Sequence, residues 1–118
     1  MSKGRDFFGS SMWSTLHCVA VTYTPDKAKA FVSLLWAYVE LLPCAECRVN
    51  LKKKLEKIPP DAYLRNNHDL FFYTYALHDL VNQDVSRHHG KKKKKSPPYL
   101  EIKQRYFSAL GEQCKECG

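Results

Sequence analysis

Apolar residues recur along this chain at the three- and four-residue steps of helices, and almost nowhere at the two-residue alternation of a strand. Met12, Leu16, Val19 and Tyr23 mark one stripe with Trp13, His17 and Ala20 beside it, and Pro25 ends the first helix that they predict. A second helix is expected from about Asp26, whose side chain is placed to cap it, with Ala28, Phe31, Leu34, Leu35, Tyr38, Leu41 and Leu42 on one face. Pro43 stops it. A third starts at Cys44 and carries Cys47, Leu51, Leu55 and Ile58 until Pro59 and Pro60, with Arg48, Lys52, Lys53 and Lys54 on its solvent side.

Asp61 to Asn67 reads as a polar connection, and Asn67 is the expected N-cap of a fourth helix. That helix aligns Phe71, Tyr75, His78 and Asn82, with Leu70, Leu77 and Val81 alongside, so polar groups interrupt its apolar stripe. From Ser86 to Pro98 the composition turns to His, Gly, Lys, Ser and Pro, which is loop chemistry. A short last helix from Pro98 to Leu110 repeats Tyr99, Ile102, Tyr106 and Ala109, and Gly111 ends it before the tail Glu112 to Gly118. There is no internal repeat. The pattern predicts an all-α chain.

The 118 residues suffice for one domain, and an apolar content of 44 % with 13 % aromatics supports a folded core. Lys and Arg exceed Asp and Glu by 19 to 12, a net charge of +7 that first suggests a nucleic-acid binder. Five of those bases are the run Lys91 to Lys95; without it, 14 face 12 and the balance falls to +2. The run has no interleaved aromatics, so a solvated loop is expected and nucleic acid is not the expected partner. No stretch approaches the roughly 20 apolar residues of a membrane span, and Met1 to Ser11 lacks an apolar signal region. A cytoplasmic protein without a signal peptide or a membrane association is the resulting expectation. In that setting five cysteines call for a use other than a disulfide scaffold.

Four of the five form two Cys-x-x-Cys pairs, Cys44/Cys47 and Cys114/Cys117. The first pair opens a predicted helix, where residues three apart share a face and the helix N-terminus favours thiolate over thiol. The second lies in the tail. One reading is a tetrahedral Zn site made by all four; the other is a redox relay in which one disulfide passes electrons to the next by thiol exchange. The 66 residues between the pairs exceed the about 15 to 20 of ordinary zinc ribbons. No other metal ligand set stands out. Cys18, beside an apolar stripe, reads as a small buried hydrophobe.

A dithiol relay needs an acceptor. Trp13 and His17, and likewise His78 and Asn82, stand four residues apart on their helices, so each pair shares a face. Together they offer flat surfaces and hydrogen-bonding groups suited to a planar, polar cofactor held between helices.

Three segments, Trp13 to His17, Leu42 to Cys47 and His78 to Asn82, are similar in order and spacing to the WxxxH, PCxxC and HNxVN signatures of the Erv/ALR family of FAD-linked sulfhydryl oxidases. The likeness runs from Gly9 to about Tyr106, and the short chain resembles the minimal members encoded by large DNA viruses. It implies a four-helix bundle with a short fifth helix, FAD at the bundle mouth and a homodimer. The oxidase domain would span residues 1–110, with 111–118 as a tail carrying a shuttle pair. By position, Cys47 would be the flavin-proximal sulfur and Cys44 the sulfur attacked by incoming thiolates. Trp13, His17, His78 and Asn82 would line the FAD site, with Arg87 as its basic residue and with Tyr23 and Tyr99 near it. Electrons would pass from a dithiol protein substrate through Cys114/Cys117 and Cys44/Cys47 to FAD and then to dioxygen.

The chain departs from the family pattern at several places. Asp79 stands where an Asn is usual, Tyr73 where a Trp is common and Ser10 where an Arg often follows the glycine, and the cysteines of a disulfide that fixes the fifth helix in many relatives are absent.

Overall fold

The computed structural model describes residues 2–88 and 96–111, with side chains from 7–83 and 96–111. Cys114, Cys117 and Lys91 to Lys95 lie outside the described residues, as does the side chain of Arg87. The order is α1 (Ser2–Val21), a 3-10 turn (Pro25–Lys27), α2 (Ala28–Leu41), α3 (Ala45–Lys57), a second 3-10 turn (Pro60–Tyr63), α4 (Asn67–His88) and α5 (Tyr99–Leu110). Among the described residues there is no strand, and the fold is the expected all-α one, four helices with a shorter fifth.

The chain breaks where its prolines fall, because each removes a backbone donor and fixes φ. Pro25 starts the first 3-10 turn, Pro43 separates α2 from α3, and Pro59 and Pro60 separate α3 from the second turn. Three sequence expectations shift here. The segment at Asp26 forms the 3-10 turn, so α2 starts at Ala28 with no side-chain cap; Asp26 instead accepts the hydroxyl of Thr24. At α4 the cap is Asn66 rather than Asn67, since Asn66 Oδ1 accepts from the Asp69 amide at 2.8 Å. Asn67 Nδ2 donates to the carbonyl of Val21 at 2.9 Å, so it ties the start of α4 to the end of α1. Finally, α4 continues through Ser86 to His88.

Residue pairs give the packing directions. Val21 meets Asn67, His17 meets Thr74 and Trp13 meets His78, so α1 and α4 run antiparallel. The hydroxyl of Tyr73 donates to the carbonyl of Ile58 at 2.7 Å, while Cys47, Leu51 and Val81 line one cavity, so α3 is antiparallel to α4 as well. Along α5, Tyr99 packs on Tyr75 and Phe107 stacks on His68. The core holds Leu16, Ala20, Phe31, Leu35, Leu51, Leu55, Leu70, Phe71, Tyr73 and Leu77. Leu41, expected inside, is 76 % exposed.

Candidate functional site

Cys44 is the N-cap of α3, with extended backbone, and its sulfur accepts from the Cys47 amide at 3.2 Å. A sulfur held there faces the positive end of the helix, which favours the thiolate whenever the pair is reduced. In the structure the two cysteines are joined as a disulfide, with Cα atoms 5.1 Å apart. Arg48, one turn into α3, reaches back to the carbonyl of Leu42 and so ties the turn before the pair to the helix after it.

Cys47 opens on a cavity of about 430 Å³, including the part open to solvent, between the start of α1 and α3 and α4. Its walls are mainly Phe8, Met12, Trp13, Leu42, Leu51 and Val81, with Asn50 as the polar exception. An apolar slot with few polar groups suits a flat heteroaromatic ring. Asn50 was not singled out in the sequence. It stands three residues after Cys47, on the face that the pair already defines, and that spacing was the available signal.

Behind the cavity lies a layer of rings. Trp13 and His78 stack with centroids 4.3 Å apart and planes 6° from parallel. His17 sits among Trp13, Phe71, His78 and Tyr106, with centroids 5.2 to 6.5 Å away. Its ring is buried, which pushes its pKa down to about 4, so it is neutral near pH 7. The Thr74 hydroxyl donates its one proton to the Phe71 carbonyl at 2.7 Å, so it can only accept from His17 Nδ1, 2.8 Å away. Neutral His17 therefore carries its proton on Nδ1 and offers Nε2 as an acceptor.

Asn82, one turn beyond His78, is buried and donates to Ser96 Oγ at 3.2 Å. Ser96 in turn donates to Asp79 Oδ1 at 2.7 Å, and Gln83 donates to Asp79 Oδ2 at 2.9 Å. Asp79, the departure from the family pattern, thus uses one carboxylate oxygen to hold Ser96, in the segment that leads into α5, and the other to hold Gln83 on its own helix. Tyr75 adds a bond to the carbonyl of Pro97.

The structure brings together Trp13, His17, His78 and Asn82 between α1 and α4, and joins Cys47 to Trp13 through the shared cavity. Arg87 lies in α4, one to two turns beyond Asn82. Of two other expected residues, one packs apart from these rings and the other borders them through Phe71. Tyr23 packs edge-on against Phe31 and donates to the Leu64 carbonyl at 2.7 Å. Tyr99 packs against Phe71, Phe72 and Tyr75. Cys18 is half-buried, and desolvation pushes its thiol pKa up, away from the reactive thiolate.

The pattern of the Erv1/Alr family matches residues 10–107, most of the chain and most of this site. The chain belongs to the Erv1/Alr family. It is 31 % identical over 84 residues to the FAD-linked sulfhydryl oxidase of an African swine fever virus isolate from a tick in Malawi, covering 68 % of this chain and 69 % of the relative. A Kenyan isolate's FAD-linked sulfhydryl oxidase is 29 % identical over the same coverage. A protein of Invertebrate iridescent virus 3 with the same activity in its name is 26 % identical over 74 % of this chain and 62 % of its own length. No solved structure matches the chain. No described helix is long and apolar enough to cross a membrane.

Proposed function

We propose that this Erv1/Alr protein is an FAD-dependent sulfhydryl oxidase that makes disulfides in thiol substrates. The observation that carries the reading is the Cys44–Cys47 disulfide at a helix N-terminus, opening on an apolar cavity walled by Trp13. Its relatives are named for the same activity. A disulfide is the oxidised form that a thiol oxidase presents to its substrate.

In this reading a substrate thiolate attacks Cys44, the sulfur–sulfur bond to Cys47 breaks, and Cys47 leaves as a thiolate. The second substrate thiol then displaces Cys44, so the substrate gains a disulfide and the pair gains two electrons. The Cys47 amide and the α3 N-terminus stabilise the sulfur charge as it forms. The cavity would take the flavin ring beside Cys47, and Trp13, His17, His78, Asn82 and Arg87 would hold the remainder, with Tyr23 and Tyr99 in supporting positions. FAD bound there would supply the two-electron acceptor for the reduced cysteines, with dioxygen as the final oxidant and hydrogen peroxide as its product. Trp13 and His78 supply a flat face, and His17 Nε2 supplies an acceptor whose direction Thr74 fixes.

The domain would span residues 1–110, with 111–118 as a tail whose Cys114/Cys117 pair relays electrons from protein substrates. A homodimer belongs to the same reading. The visible spectrum of the purified protein, before and after a dithiol, tests it: a flavin band that bleaches under anaerobic dithiol and returns with air is expected, and a colourless protein overturns it. For the tail, Cys114→Ser should lose protein substrates while still oxidising a small dithiol. Equal loss of both, to the extent seen in Cys47→Ser, would remove the relay.

A further inference from the structure

The surface around the disulfide is not neutral in character. Next to Cys44 and Cys47 it exposes an apolar rim of Leu41, Pro43 and Ala45, with Leu41 at 76 % and Val49 at 54 %. Below that rim, α3 turns basic. Lys52, Lys53 and Lys57 are exposed and Arg48 is half-buried, against one exposed carboxylate among them, Glu56, and another at the tip, Glu46. Lys52, Lys53 and Lys57 belong to no ion pair among the described residues. With a rise of about 1.5 Å per residue, Lys52 and Lys53 lie about 12–14 Å along the helix from Cys44. That is the reach of three or four extended residues of a bound chain.

We propose that the solvent side of α3 is the docking surface for the thiol segment that attacks Cys44, whether a substrate or the tail delivers it, and that it selects segments whose reactive cysteine is followed by acidic residues three or four positions away, with an apolar residue next to the cysteine. The proposal rests on the oxidase reading. Within it the charge arrangement has a direct consequence. The attacking group is a thiolate, so a positive field at the approach raises its local concentration, and acidic flanks raise the encounter rate of the whole segment. The apolar rim then supplies contact where the mixed disulfide forms. Exposed lysines on a helix are most often simply solvated. Here they form no ion pair among the described residues, and along the helix axis they lie within one bound segment's length of Cys44, which gives them a partner chemistry.

The test uses the flavin-loaded full chain and two dithiol peptides of equal length and identical cysteine spacing, one flanked by Asp and Glu, the other by Lys. Thiol loss is followed at low salt and at about 0.5 M, where exposed charges are screened within a few ångströms. The wild type should favour the acidic peptide in kcat/KM by about tenfold at low salt, and the two peptides should converge at high salt. In Lys52→Glu/Lys53→Glu the preference should vanish or invert, and Lys52→Gln/Lys53→Gln should fall between. A chain with Lys91 to Lys95 replaced by Gln should keep the preference.

Equal use of both peptides by the wild type, or an undiminished preference in Lys52→Glu/Lys53→Glu, overturns the docking surface. So does loss of the preference with the Lys91–Lys95 run instead. A small neutral dithiol separates this failure from the larger one: if it is consumed while the peptides are not distinguished, only the docking surface falls. If no dithiol is oxidised, the oxidase reading falls with it.

Discussion

Thr74 Oγ1 lies 2.8 Å from His17 Nδ1 in the interior between α1 and α4, and because its own proton is committed to Phe71, it fixes which nitrogen of His17 carries hydrogen. Thr74 is fully buried and His17 is 4 % exposed, so no water stands ready to replace either partner. Thr74→Val keeps the shape and removes the acceptor. It should cost about 1–3 kcal/mol, the range for leaving a buried donor unpaired, and Thr74→Ser should recover most of it. Urea unfolding of the three proteins measures the stability, and ¹⁵N spectra of the His17 ring report whether the Nδ1–H form persists. A Thr74→Val protein that keeps both wild-type stability and a pure Nδ1–H ring would contradict the assignment.

The same burial makes the fold sensitive to acid. The His17 pKa is about 4 in the folded protein against a reference of 6.5, so between those values the unfolded chain binds a proton that the folded one refuses. The unfolded state thus holds more protons there, and stability rises with pH through the window. This one group should remove about 3 kcal/mol on acidification from pH 7 to 4, with most of the change below pH 6. His17→Asn should flatten that segment of the stability–pH curve. An unchanged slope would place the acid sensitivity on other groups.

Local pattern reveals helices better than their ends. The five helical stretches followed from apolar spacing, and the proline breaks were visible because proline acts on its own backbone whatever surrounds it. The cap of α4 was harder to read. Asn66 and Asn67 are chemically identical, and the carbonyl of Val21, 46 positions earlier, decides which is drawn away from the helix end. Leu41 continues the half-buried line of Leu34 and Tyr38 at the edge of the stripe Phe31, Leu35 and Leu42, which is the one the core covers. Among site residues, Trp13, His17, His78 and the cysteines carried distinctive side chains at helical spacing. Thr74 and Asp79 did not, because the one matters through a histidine 57 positions away and the other through a serine beyond the lysine run.

The reassigned cap gives a third prediction. Asn66→Ala removes the acceptor for the Asp69 amide and should cost about 0.5–2 kcal/mol. Asn67→Ala instead frees the Val21 carbonyl, at the end of α1 rather than the start of α4. Asn66→Asp should restore the wild-type midpoint, because aspartate caps as well as asparagine and adds charge at the favourable helix end. If Asn66→Asp fails while Asn67→Asp succeeds, the cap lies at Asn67 after all.

Cys44 has two separable roles, one chemical and one structural. As the sulfur that incoming thiolates attack, it should be indispensable, so both Cys44→Ser and Cys44→Ala should lose thiol oxidation. As the N-cap of α3, its side chain accepts from the Cys47 amide, and serine is among the best residues for that task while alanine is among the worst. Both substitutions delete the disulfide equally, so its effect on the unfolded chain cancels between them. The remaining difference should be about 1 kcal/mol in favour of serine, read as a gap between their denaturation midpoints. Two inactive proteins of equal stability would mean that the sulfur's place at the helix end serves the redox chemistry alone. A gap of the expected size would show that one atom both starts the helix and receives the substrate, so that reducing the disulfide leaves the cap in place and the pair ready to close again.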